Sequence, residues 1–305
     1  MGDEPIRFTD GAGYDRFMGV WSRLVGDEFL DWIAPAPGLR WLDVGCGNGA
    51  FTERIARRCA PASLHGVDPS EAQLAYAREQ PSLKAAHFQE GDAMALPFPA
   101  DAFDGAVMPL VIFFVPEPAR GVAEMARVVA PGGIVAAYAW DMEGGGFPYL
   151  GVRAALEEFG VSTPMPPSPE ASRPDVLHQL WSAAGLIDLH TRAIEVERTF
   201  AGYEELWAIL LAGPSAGQAL AAMEEAARTR FRERLRERLQ PAGGGPITLR
   251  ARANAIRGLG HPFCRQLQAR GDQVVAACRS TSRSTPPACS SAPPPATSSP
   301  APGRS

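Results

Sequence analysis

"WLDVGCGNGAFT", residues 41–52, decides how the rest of the chain is read. An apolar run ends in Asp43, glycines follow at 45, 47 and 49, and a helix-like pattern starts at Ala50. Glycine at such positions lets the backbone turn sharply and come close to a ligand. The helix that follows points free N–H groups and a partial positive charge at the same space. A glycine turn alone is weak evidence, because a purely structural tight turn uses the same residues.

Working outward, the pattern alternates between strand and helix. Residues 17–33 space Trp21, Leu24, Val25, Phe29 and Trp32 as an amphipathic helix, stopped by Pro35 and Pro37. Strands are predicted at 39–44, 63–68, 84–92, within 103–114, and at 132–140 after the turn "PGG". Helices are predicted between them at 50–59, 69–79 and 118–130. A proline-rich loop (163–174) leads to a helix ending near Gly185, then a strand at 186–200, helical stretches at 203–212 and 216–240, and a last strand at 246–258. This alternation predicts an α/β fold, a doubly wound and mostly parallel sheet. The cofactor-binding core spans about 37–141, with a helical insertion at about 200–245. Ligands of such sheets bind at the carboxyl ends of the strands, where the glycine turn, Asp68 and Asp92 fall.

Composition narrows the function. The 305 residues are 46% hydrophobic and 21% charged, as expected for a globular enzyme with a sizeable core. A formal net charge of -5 speaks against a general nucleic-acid binder. Cys46, Cys59, Cys264, Cys278 and Cys289 show neither C-x-x-C pairing nor metal-ligand spacing, so no metal is expected. The acidic start "MGDEPIRFTDG" lacks an apolar core, and no apolar stretch is long enough to span a bilayer. The cytoplasm is the expected compartment.

Two adenosine cofactors suit the glycine turn. Gly45-x-Gly47-x-x-Ala50 fits the relaxed dinucleotide fingerprint. Asp43, two residues before the first glycine, opposes it, because a pyrophosphate there would meet an extra carboxylate. S-adenosylmethionine instead brings a cationic amino group and a sulfonium. Asp68, at the end of the second strand, can accept from both ribose hydroxyls of either cofactor. Asp92, in "EGDAMALPF" (90–98), can accept from an adenine amine.

The stretches "WLDVGCGNGAFT", "GVDPS", "EGDAMALPFPADAFDGAV" and "EMARVVAPGGIVAAYAW" resemble the successive motifs of class I S-adenosylmethionine-dependent methyltransferases. The likeness is to the small-molecule branch that includes quinone-biosynthesis enzymes, and it extends over about residues 10–257. It implies a seven-stranded sheet with an antiparallel final strand. It implies that Asp43, Gly45, Gly47 and Gly49 surround the methionine end of the cofactor, with Cys46 in the same turn. It implies that Asp68, with Pro69 beside it, holds the ribose, and that Asp92, Ala93 and Met94 frame the adenine. "YDRFMGVWSR" (14–23) resembles the segment that folds over the cofactor, which makes Tyr14, Met18, Trp21 and Ser22 lid candidates. Val20 stands where the family often has a second basic residue.

Methyl transfer from a sulfonium needs alignment and water exclusion more than a dedicated acid or base. Catalytic residues therefore stay unassigned; His65, His87, His178 and His190 fall within predicted strands or a helix. Asp141, just past the fifth strand, is the best-placed ionisable group for an acceptor, with Trp140, Phe147, Tyr149 and Trp207 as an aromatic surround. A small organic acceptor suits such a pocket. The other function classes are an NAD(P)-dependent oxidoreductase and a non-catalytic cofactor-binding interaction protein. The methyltransferase domain is assigned to 1–257 and an atypical tail to 258–305, disordered from about 280. Residues 257–282 resemble the start of a short-chain dehydrogenase without its full glycine turn, and read as an inactive remnant.

Overall fold

The computed structural model describes residues 13, 15–213, 216–240 and 242–261. Tyr14 and the tail from 262 lie outside the described residues. The first compact unit runs from Met1 to Pro262. Among its described residues no helix is long and apolar enough to cross a membrane.

Seven strands form one sheet: β1 (Arg40–Val44), β2 (Ser63–Asp68), β3 (His87–Glu90), β4 (Phe103–Pro109), β5 (Val129–Trp140), β6 (Ile187–Phe200) and β7 (Ile247–Leu259). Their order is β3-β2-β1-β4-β5-β7-β6. Pairing is parallel from β3 through β5, while β7 runs antiparallel to both β5 and β6. The predicted doubly wound sheet with an antiparallel last strand is what forms. The strand order reverses between β1 and β4, which opens a crevice at their carboxyl ends.

The helices are α1 (Val20–Ile33), α2 (Ala50–Arg58), α3 (Glu71–Glu79), α4 (Pro118–Val128), α5 (Leu150–Glu158), α6 (Pro174–Ala183), α7 (Tyr203–Leu211), α8 (Ala216–Ala222) and α9 (Glu225–Leu239). A π turn, Asp15–Gly19, precedes α1, so the predicted helix at 17–33 starts later than its apolar spacing implies. The Pro-Gly-Gly segment is a bulge inside β5 rather than a turn before it. The β4–β5 register shifts between Phe103 and Gly105, and Gly132 takes φ 77°. Gly132 N–H donates to Gly260 O at 2.8 Å and Gly260 N–H to Gly133 O at 2.9 Å, so the bulge remains paired.

Three further differences have local causes. The third strand is only four residues long, because Pro81–Leu83 form a 3-10 turn just upstream. The stretch predicted as one helix at 216–240 is two, broken where Glu224 is extended with ψ 142°. Helix α5 has no counterpart in the sequence reading; its buried stripe is only Val152, Ala155 and Leu156. Strand β7 continues to Leu259, past the predicted domain end at 257. Of the dehydrogenase-like stretch, residues beyond 261 lie outside the described residues.

The core gathers the large aromatics. Trp21, Trp41, Trp140, Trp181, Tyr138 and Tyr149 are all fully buried. Trp21 Nε1 donates to Tyr149 Oη at 3.0 Å, and Tyr149 Oη donates to Phe17 O at 3.0 Å. These bonds satisfy polar atoms that would otherwise be stranded and fasten α1 and its π turn to the start of α5.

Candidate functional site

A cavity of about 410 Å³ lies at the β1/β4 switch point. One wall is the glycine turn: Asp43, Gly45, Cys46, Gly47, Asn48, Ala50 and Phe51. The end of β2 and the start of α3 supply Asp68, Pro69, Ser70 and Gln73. Pro109, Leu110, Val111 and Phe114 follow β4, and Ser22 enters from α1.

The turn is built by its glycines. Gly45 has φ 71°, and a Cβ there would stand 2.4 Å from Val111 Cγ2. Gly47 has φ 52°, and a Cβ there would meet nothing within 4 Å, so its bare face opens outward. Gly49 is the left-handed N-cap of α2, and a Cβ would come within 2.6 Å of Leu83. Gly49 thus shapes the turn without lining the cavity.

Two carboxylates mark this site. Asp43 is fully buried; Thr52 Oγ1 donates to its Oδ2 at 2.6 Å, and Oδ1 has no hydrogen-bond partner. Burial pushes its carboxyl up to about 7, against the Thr52 bond and with help from Asp68. Asp68 accepts from Gly47 N–H at 2.9 Å and Ser70 N–H at 2.8 Å. Burial raises its proton affinity too, opposed by those two bonds. Burial also holds the Cys46 thiol well above its ordinary range, so it is protonated and a poor nucleophile.

Other expected residues lie elsewhere. Asp92 is exposed and caps its own turn, its Oδ1 accepting from Met94 N–H at 2.8 Å; Asp92, Ala93 and Met94 are outside this cavity wall. Met18 and Trp21 are core residues, and of the lid candidates within the described residues only Ser22 lines the cavity. The proposed acceptor surround is not brought to the cavity. Trp140 and Tyr149 are buried in the core, and Phe147 packs on Tyr149 with ring centroids 6.0 Å apart. Trp207 stacks on Tyr203 beneath Arg232. Asp141 is a structural anchor: it accepts from Arg252 Nη2 at 2.5 Å and Gly144 N–H at 2.9 Å. Its backbone turns toward β7, where its N–H donates to Arg252 O, and away from the switch point.

The histidines stay outside this wall. His65 stacks on His87 at 5.0 Å, with its proton affinity lowered by burial and by that neighbour, and His190 meets Asp188 at 2.9 Å. The sequence reading missed the apolar wall Pro109, Leu110, Val111 and Phe114. Leu110 takes φ 60°, an unusual conformation for leucine, and donates its N–H to Tyr138 O at 2.7 Å. It also missed Asn48, Ala50, Phe51, Ser70 and Gln73, although all of these sit inside or just after the glycine-turn and "GVDPS" motifs.

Residues 42–137, about a third of the chain, match the family described as a methyltransferase domain. The chain is 40% identical over 120 residues to 2-methyl-6-phytyl-1,4-hydroquinone methyltransferase 2 of Oryza sativa subsp. japonica, covering 38% of this chain and 34% of that protein. It is 34% identical over 125 residues to a ubiquinone/menaquinone biosynthesis C-methyltransferase of Cereibacter sphaeroides, covering 39% and 49%. The chain thus spans about a third to about half the length of these curated relatives. A similar solved structure is Haemonchus contortus phosphoethanolamine N-methyltransferase 2 in complex with S-adenosyl-L-methionine. Its TM-score is 0.51 at 17% identity, over 82% of this chain and 56% of that one, a likeness of fold.

Proposed function

We propose that this protein transfers a methyl group from S-adenosyl-L-methionine to a small organic acceptor by in-line displacement. The observation that carries the reading is Asp43 Oδ1, a buried acceptor without a partner in the wall of a cavity floored by a glycine turn. An unpaired buried carboxylate oxygen is costly, and a ligand's ammonium group would satisfy it. A dinucleotide pyrophosphate would be repelled by the same group.

Within this reading Asp43, Gly45, Cys46 and Gly47 hold the methionine end. Asp68, beside Pro69, presents its remaining lone pairs to the ribose hydroxyls. Asp92, Ala93 and Met94 border the adenine from the rim, since Gly91 N–H donates to Asp68 O at 3.2 Å and ties that loop to the end of β2. Ser22 brings the lid segment to the cavity wall. When bound, S-adenosylmethionine supplies an already activated methyl on a sulfonium. The chain's own work is to orient both reactants and exclude water. Pro109, Leu110, Val111 and Phe114 offer the acceptor an apolar wall. The quinone-type names of the rice and Cereibacter relatives support a small-molecule acceptor.

Calorimetry with S-adenosylmethionine, S-adenosylhomocysteine and NAD tests the cofactor. Binding of the first two is expected; tight NAD binding without them would overturn the reading. Incubation with isotopically labelled methyl donor and a metabolite extract then identifies the acceptor by its label.

A further inference from the structure

Asp43 and Thr52 are both fully buried, yet only Asp43 reaches the cavity wall. Thr52 stands behind it on α2, and its hydroxyl engages one carboxylate oxygen while the other has no partner. We propose that Thr52 is a positioning residue: it ties down Asp43 Oδ2 so that Oδ1 faces the cavity as an acceptor for the ammonium group of the bound cofactor. This rests on the cofactor reading above.

The physical argument concerns rotation and protons. A carboxylate has two equivalent oxygens and a broad, two-fold torsion. A short bond from a buried hydroxyl makes them inequivalent and fixes the plane. It also favours the ionised form, because the hydroxyl can only stabilise Oδ2 as an acceptor by donating to it. The other groups facing Asp43 give no such help. Asp68, from the end of β2, is a like charge, and the Cys46 thiol, from the glycine turn, is held neutral by burial. The segment after β4 presents only the apolar Pro109, Leu110, Val111 and Phe114 to the cavity.

Burial and Asp68 leave the Asp43 carboxyl at about 7 even with Thr52 in place. A proton therefore competes with the ligand's cation for Asp43 near neutrality. Only the ionised carboxylate receives the ammonium, so affinity rises with pH through this region and levels off above it. Without the Thr52 hydroxyl, the midpoint of that rise moves to higher pH.

The test is calorimetric titration of the full chain with S-adenosylhomocysteine, from about pH 5.5 to about pH 8.5. Alongside it, carbon-13 NMR follows the Asp43 carboxyl in the ligand-free protein. Thr52→Val preserves shape and removes the hydroxyl. It should weaken binding roughly tenfold at neutral pH, and move both the binding midpoint and the carboxyl titration upward. Thr52→Ser should restore both, and Asp43→Asn should flatten the binding profile. Binding by Thr52→Val with an unmoved profile and an unmoved carboxyl titration overturns the proposal alone. Absence of binding by the wild-type chain at every pH overturns the cofactor reading, and the proposal with it.

Discussion

Asp68 accepts two backbone N–H groups, from Gly47 and Ser70, so it holds the glycine turn against the end of β2. Charge-assisted bonds of this kind are worth roughly 1.5–3 kcal/mol each. Asp68→Ala should therefore weaken S-adenosylhomocysteine binding by at least about tenfold, read by calorimetry, while circular dichroism shows the fold retained. Unchanged affinity would remove Asp68 from the site. Asp43 makes a different prediction, about stability. Its folded carboxyl sits at about 7, above the ordinary 3.8, chiefly because it is buried. The folded chain thus holds a proton that the unfolded chain has given up. Stability contributed by this group is greatest at low pH and falls as pH rises between those two values, by up to roughly 4 kcal/mol. Asp43→Asn cannot titrate, so its melting temperature should fall less than that of the wild-type chain across the same interval. Parallel pH slopes would show that Asp43 is ionised at no such cost.

Among the elements, α4 fixes the loop that follows β3. Arg127 donates to Phe98 O at 2.7 Å and to Leu96 O at 3.0 Å, and pairs with Glu124 at 2.6 Å. Glu124 in turn accepts from Leu96 N–H at 2.8 Å. The Arg127 guanidinium holds the Glu124 carboxyl below its usual range, so this clamp is intact at neutral pH and loosens as acid protonates Glu124. Arg127→Met keeps the helix and removes the clamp. Amide exchange over residues 92–98 should accelerate several-fold, and stability should drop by about 1–2 kcal/mol. Exchange unchanged in that loop would show that α4 does not control it. The sequence made the helix legible through its spacing, and the strand-end acids through the alternation of elements. It hid the clamp, because hydrogen bonds from a helix to a loop some 30 residues earlier have no local pattern. Helix α5 was hidden for a related reason: its short apolar stripe acquires meaning only when α9 and the core close over it.

For the whole molecule, the segment just after β7 is tied back to β5. Gly260 bonds Gly132 and Gly133, closing the β5 bulge. If the tail is an inactive remnant, a chain ending at Pro262 should keep the melting temperature and cofactor affinity of the full chain. A chain ending at Gly258 loses those bonds and should melt several degrees lower, since about 1 kcal/mol shifts a domain of this size by roughly 2–4 °C. A clear loss of stability or affinity on cutting at Pro262 would overturn that reading of the tail.

The sequence by itself determined the strand and helix alternation, the glycine turn, and the acids at successive strand ends. These follow from backbone sterics and from periodicities of two and 3.6 residues, which act over a few neighbours. Only the tertiary structure decided which of those acids matters where. Asp43 is buried with one oxygen unpartnered, Asp92 caps its own turn with one oxygen, and Asp141 is bound by an arginine 111 residues away. It likewise sent Trp21 and Tyr149, 128 residues apart, to bond each other in the core rather than cover a cofactor or surround an acceptor. A side chain's partners are set by what the folded sheet brings beside it, and buried polar groups must find those partners at close range, whatever their distance along the chain.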